Sequence, residues 1–180
     1  VTSDEFLDMI IEKGCIFAWY FHYMPVGMNA STELLLSPEQ REYMFHKIRE
    51  IRDMEGGKEL FAIDFQNDGE FVQGCIAGGR RYLHINANGD VEPCVFIHYS
   101  SANIKEKTLL ECLQQPLFKA YRDGQPFNDN LLRPCPMLEN PEKLVEIIKA
   151  TGHDLATVAA KAASCTEIGW MAYEYCTKCD

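Results

Sequence analysis

A chain of 180 residues, 47% hydrophobic and 24% charged, is long enough for one good core or for two small lobes sharing an interface. Its net charge of −10 argues against a nucleic-acid partner, because domains that grip phosphate backbones carry a basic face. No apolar run approaches the roughly 18 residues that cross a bilayer, and the first residues lack the basic-then-apolar order of a signal peptide, so a cytoplasmic protein without membrane contact is expected.

Thr2 to Glu5 reads as a capping box that opens a short helix running to about Lys13, with Gly14 as its stop. The next run, Cys15 to Met24, is almost continuously apolar and aromatic, which predicts a strand buried on both faces, ended by Pro25 and Gly27. Ser37-Pro38-Glu39-Gln40 is the clearest helix start in the chain, with Met44, Ile48 and Ile51 on one face and Gly56-Gly57 as the end. Glu59 to Phe65 predicts a second buried strand, so this region is a βαβ unit with parallel strands. One such unit cannot cover both faces of two strands this hydrophobic, and the expectation is that it belongs to a larger sheet or barrel. Two short helices around Pro116, a proline-containing loop over residues 125–139, and a helix capped by Asn140 follow. Asp154 is expected to cap a last helical region leading to Cys165.

Between these parts lies Gly74 to Cys94, which reads as a β-hairpin around Asn88-Gly89, a type I′ turn signal. A hairpin brings its open ends together, so Cys75 and Cys94 should finish as neighbours. A disulfide, half of a metal site and two plain core residues are all open readings of that pair. Eight cysteines in a chain of this size favour metal or redox chemistry over structural disulfides. Thirteen residues separate Cys75 from Gly89 and four separate Gly89 from Cys94, and Cys135 follows in a loop bounded by Pro134 and Pro136. Thiolates that converge from short loops suit a soft metal or an iron–sulfur core, and spacing alone does not separate iron–sulfur from zinc.

This layout resembles the SPASM/Twitch auxiliary-cluster domain of radical S-adenosylmethionine (SAM) enzymes, over roughly Gly74 to Leu144. The upstream βαβ unit is similar to the last strands of the partial (β/α) barrel of those enzymes. The resemblance implies an α/β (α+β overall) fold, with residues 1–73 as the barrel remnant and residues 74–180 as a hairpin-plus-helices SPASM/Twitch-like module. It implies one auxiliary [4Fe–4S] cluster on Cys75, Cys94, Cys135 and a fourth ligand. Cys165 is the choice for that ligand, Cys176 or Cys179 the fallback, and a position open to substrate the third option. It further implies a parent enzyme of oxidoreductase type that uses SAM and a second [4Fe–4S] cluster to modify a peptide or small molecule. The family's Cys-x3-Cys-x2-Cys motif occurs nowhere in these 180 residues, so a C-terminal fragment without turnover of its own is expected. Exposed barrel edges would invite a homodimer. The alternative from another class is a zinc-stabilised structural or interaction module.

Secondary candidates follow from position. Asp64, Gln66, Asn67 and Asp68, with Tyr23 and Gly27, fall at the carboxyl ends of the two strands, where ligands bind in parallel sheets; a polar loop is the plainer reading. His22 reads as a core or barrel-lining histidine, and His84 either as a donor to cluster sulfurs or as an exposed strand residue. Gly78-Gly79 before Arg80-Arg81 is a weak anion-site pattern, while Cys15 and Cys112 read as core.

Overall fold

The computed structural model describes residues 1–25 and 30–153. Helix α1, Asp4–Glu12, is capped by Ser3, whose side chain accepts from the Phe6 N–H, one residue later than the Thr2 start expected. Strand β1, Phe17–Tyr20, leads to α2, Pro38–Ile51, where Ser37 and Gln40 complete the expected capping box and Pro38 sits in the first turn. The helix ends at Ile51, before Gly56-Gly57, and the chain turns back as the Lys58 N–H donates to the Ile51 carbonyl at 2.9 Å. Strand β2, Phe61–Asp64, pairs with β1 in parallel, with Phe17 opposite Phe61 and Tyr20 opposite Asp64.

Strand periodicity divides this pair sharply. On one face Ala62 joins Leu7, Ile48, Ile51 and Leu60 in a core to which Ala18, Tyr20 and Met44 add partly buried surface, so α1 and α2 cover that side. On the other face Phe17, Trp19, Phe21 and Phe61 are 42–58% exposed. Trp19 lies over Phe21 at 4.7 Å between ring centroids, and Phe21 stacks on Phe65 at 5.2 Å. The expectation of strands buried on both faces is therefore corrected: among the described residues one face is covered and the other is an open aromatic surface. Cys15, expected in the core, is exposed.

At the carboxyl ends of the strands a polar knot ties the sheet to its loops. Asp64 is fully buried and accepts from the Gln66 and Asn67 backbone N–H groups and from Asn67 Nδ2 at 2.8 Å, with His22 Nε2 3.2 Å from its Oδ1. Burial alone would raise the Asp64 carboxyl, but the His22 and Asn67 contacts outweigh it and hold it below the usual range. Arg52, which caps the end of α2, forks onto Asp68 at 2.7 and 2.9 Å, and Asp68 in turn accepts from the Asp64 N–H. The residues expected to meet a ligand here are engaged with one another.

The second region opens with α3, Gly69–Val72, and then the hairpin β3, His84–Ile85, with β4, Val91–Glu92. Its turn differs from the expected type I′. Only Gly89 has positive φ, at +93°, while the Gly89 N–H donates to the Asn86 carbonyl and the Asn86 N–H to the Asp90 carbonyl. That is a three-residue loop closed by a left-handed glycine. Helix α4, Leu109–Leu113, and α5, Pro116–Asp123, follow, with Pro116 at the start of the second as its missing N–H requires. Helix α6, Pro141–Ala150, packs on α5 through Leu144 and Ile148, in a core shared with Leu117, Tyr121 and Met137. No helix among the described residues is long and apolar enough to cross a membrane.

The Asp64 contact gives stability a definite pH dependence. Because its folded pKa is depressed, its contribution is complete above the unfolded value of about 4 and disappears as pH falls through the folded value. In urea titrations Asp64→Asn should be less stable than the wild type at pH 7, and the gap should narrow steadily below about pH 4. A gap independent of pH would contradict this role for the carboxylate.

Candidate metal centre

Three of the expected cysteines line one pocket. Cys75 and Cys94 are buried and Cys135 is partly buried; all three are free thiols. They arrive from three different segments. Cys75 follows α3, Cys94 follows β4, and Cys135 stands in the loop before α6. The Gly78 N–H donates to the Pro93 carbonyl at 3.0 Å, which fixes the Cys75 segment against the Cys94 segment. The far wall comes from the sheet: Met24, Phe65 and Gln66, at the carboxyl ends of the strands, close the same pocket with Met137.

Each sulfur begins a turn that directs backbone N–H groups back at it: that of Ala77 at Cys75, those of Val95 and Phe96 at Cys94, and those of Met137 and Leu138 at Cys135. The Leu138 contact measures 3.4 Å. Such donors favour the charged sulfur, yet burial dominates and pushes all three thiols up, Cys94 to about 12. The sulfurs also raise one another, Cys75 acting on Cys94 and both acting on Cys135. Three neighbouring thiols in an apolar pocket stay protonated unless a cationic centre replaces the protons. This donor set fits a thiophilic metal group.

Among the described residues no three His, Cys, Asp or Glu side chains are grouped closely enough to hold one metal ion. A single zinc needs thiolates all at about 2.3 Å from one point, whereas a polynuclear iron–sulfur core sets a separate iron beneath each sulfur and accepts wider spacing.

The loop that carries Cys135 is braced from the first region. Glu139 accepts from the Cys135 N–H at 3.1 Å with one oxygen and from Arg41 of α2 at 2.6 Å with the other, and Arg41 also donates to the Leu132 carbonyl. Asn140 heads α6 without capping it; its Nδ2 donates instead to the Arg133 and Cys135 carbonyls at 3.0 and 3.1 Å. Gln125 presents its Oε1 to the Cys75 N–H at 3.2 Å.

The remaining candidates divide clearly. Arg80 is no anion site: its guanidinium donates to the Val72, Gln73 and Cys75 carbonyls. His84 and His98 flank the buried Glu92, at 3.9 and 3.4 Å, on the hairpin. His22 belongs to the Asp64 knot, and the Tyr23 hydroxyl accepts from the Ser31 N–H. Cys112 is core, as expected. Cys165, Cys176, Cys179 and Gly27 lie outside the described residues. One residue of the site was not singled out from sequence. Tyr121 of α5 is fully buried with its hydroxyl 3.1 Å from Cys75 Sγ. The available signal was a tyrosine on the same helical face as Leu117, since a buried phenol needs a partner for its O–H.

The family model of SPASM, an iron–sulfur cluster-binding domain, matches residues 75–137, roughly a third of the chain. Cys75, Cys94 and Cys135 all fall within the match. No curated protein and no solved structure matches the chain.

Thiol reactivity tests the pocket directly. With its pKa near 12, Cys94 is roughly one part in ten thousand thiolate at pH 8. Iodoacetamide should label exposed Cys15 on the metal-free native protein and leave Cys75, Cys94 and Cys135 unlabelled until denaturant is added, as read by peptide mass mapping. Equal rates at Cys15 and Cys94 would contradict the buried arrangement.

Proposed function

We propose that this chain is the C-terminal part of a radical SAM enzyme and that it holds an auxiliary [4Fe–4S] cluster. The observation that carries the reading is the convergence of three cysteines, two buried and one partly buried, on one pocket inside a stretch matched by an iron–sulfur cluster-binding family. Cys75, Cys94 and Cys135 are three of the ligands, and Cys165 is the fourth, with Cys176 or Cys179 as its replacement. Residues 74–180 form the SPASM/Twitch-like module and residues 1–73 the end of the partial barrel.

The open aromatic face supports the second half of this reading. A parallel strand pair with one face uncovered needs more strands to complete it, and a barrel supplies them. SAM and the second [4Fe–4S] cluster then belong to the rest of the enzyme, which modifies a peptide or small molecule. The auxiliary cluster, when bound, supplies one-electron transfer or a site that anchors the substrate. The chain's own part is to hold the sulfurs, aim backbone N–H groups at them, and exclude water with Met24, Phe65 and Met137. Isolated from its parent, the chain pairs its unpaired strand edges in a homodimer, which concentration-dependent sedimentation would reveal.

Metal analysis of the anaerobically reconstituted chain is the direct test. About four irons and four sulfides per chain are expected, lost in Cys75→Ala, Cys94→Ala and Cys135→Ala. One zinc and no iron would overturn the cluster reading in favour of a zinc-stabilised module.

A further inference from the structure

Tyr121 lines the cysteine pocket where no solvent reaches. It is fully buried on α5, and its hydroxyl has one hydrogen-bond partner among the described residues, Cys75 Sγ at 3.1 Å. The ring that delivers this hydroxyl is clamped. Phe127 meets it edge-to-face at 4.9 Å and 81°. On its other side the backbone of Gly78 is so close that an added Cβ would stand 2.3 Å from Tyr121 Cδ1, and Gly78 itself has φ +67°. The expected anion-site glycine is thus the floor on which the tyrosine ring lies. Leucine or phenylalanine would fill the same space without a buried polar atom to satisfy, so the hydroxyl is the feature in need of a purpose.

We propose that the Tyr121 hydroxyl donates a hydrogen bond to the Cys75 sulfur when that sulfur is a cluster ligand, and so raises the reduction potential of the cluster. The proposal rests on the cluster reading above. A metal-bound thiolate carries no proton and can only accept, whereas a phenol, with an ordinary pKa near 10, carries one at neutral pH, which fixes the direction of the bond. Reduction adds negative charge that is shared with the ligating sulfurs. A donor aimed at one of them therefore stabilises the reduced state more than the oxidised state, and hydrogen bonds to sulfur are among the determinants of cluster potential. The O–H contact differs from the N–H contacts at the same sulfurs because a side chain makes it, and a side chain can be altered without disturbing the backbone.

Tyr121 touches a ligand and no substrate, which makes it a positioning residue, and its test is a potential. The full chain, reconstituted anaerobically, is titrated with its spectrum followed against applied potential, as wild type, Tyr121→Phe and Tyr99→Phe. Tyr99 is a second buried tyrosine of the same core, and among the described residues its hydroxyl makes no hydrogen bond to a cysteine sulfur. Tyr121→Phe should keep the iron and sulfide content and shift the midpoint to more negative values, while Tyr99→Phe leaves it in place. Replacement of Tyr121 with 3-fluorotyrosine, a stronger O–H donor of nearly the same shape, should shift the midpoint the opposite way. This decides the matter if Tyr121→Phe fails to hold a cluster, because loss of packing alone gives no such opposed shift. An unchanged midpoint in both Tyr121 variants would overturn the proposal while leaving the cluster in place. A wild type that binds no iron would overturn the cluster reading itself, and the proposal with it.

Discussion

Three sulfurs placed beside one another in an apolar pocket impose an electrostatic condition on everything around them. As thiols they are weakly polar and easily buried, but as thiolates they repel one another and lose the solvation that water would give. A metal core meets the condition by putting positive charge where the protons were, so ligand binding and local folding become one equilibrium. The surrounding turns are consistent with this: each sulfur receives N–H groups from residues just after it in the chain, a pattern of little use to a neutral core cysteine.

Holding the third sulfur against the first two takes longer-range support. The Cys135 loop has no regular structure of its own, and Glu139, Asn140 and the Arg41 guanidinium satisfy its backbone. The Arg41–Glu139 pair joins α2, which covers the sheet, to the loop that carries a cysteine. A partly buried pair of this kind contributes more to geometry than to net stability, since most of its Coulomb gain offsets desolvation.

Much of the fold was legible because local chemistry and tertiary context agree in it. Ser37 and Pro38 start a helix in any surroundings, and Pro116 and Asn140 mark helix starts for the same reason, although Asn140 turns out to use its amide on the Cys135 loop. Cys75 and Cys94 were legible as neighbours through the hairpin between them, and Cys135 through its proline-bounded loop and the family resemblance. What was not legible depended on partners far away in sequence. An apolar run such as Cys15 to Met24 does not say which face is covered, and Cys15 ends up exposed just past the end of α1. The polar cluster at Asp64 reads equally as a ligand site or as a knot until His22 is seen against it. Arg80 and Gly78 suggested an anion by composition. Carbonyl groups five to eight residues back and a tyrosine ring forty-three residues ahead settle their roles instead.

Phe65 belongs to two surfaces at once: it is a wall of the cysteine pocket, and it stacks on Phe21, which lies against Trp19 on the open sheet face. Along this line the described residues between the pocket and that face are the aromatic rings of Phe65, Phe21 and Trp19. A charge that changes in the pocket is therefore poorly screened in this direction, because the field passes through a medium far less polarisable than water. Whatever covers the aromatic face would therefore remove water from this line as well, and a charge in the pocket would then be felt across it.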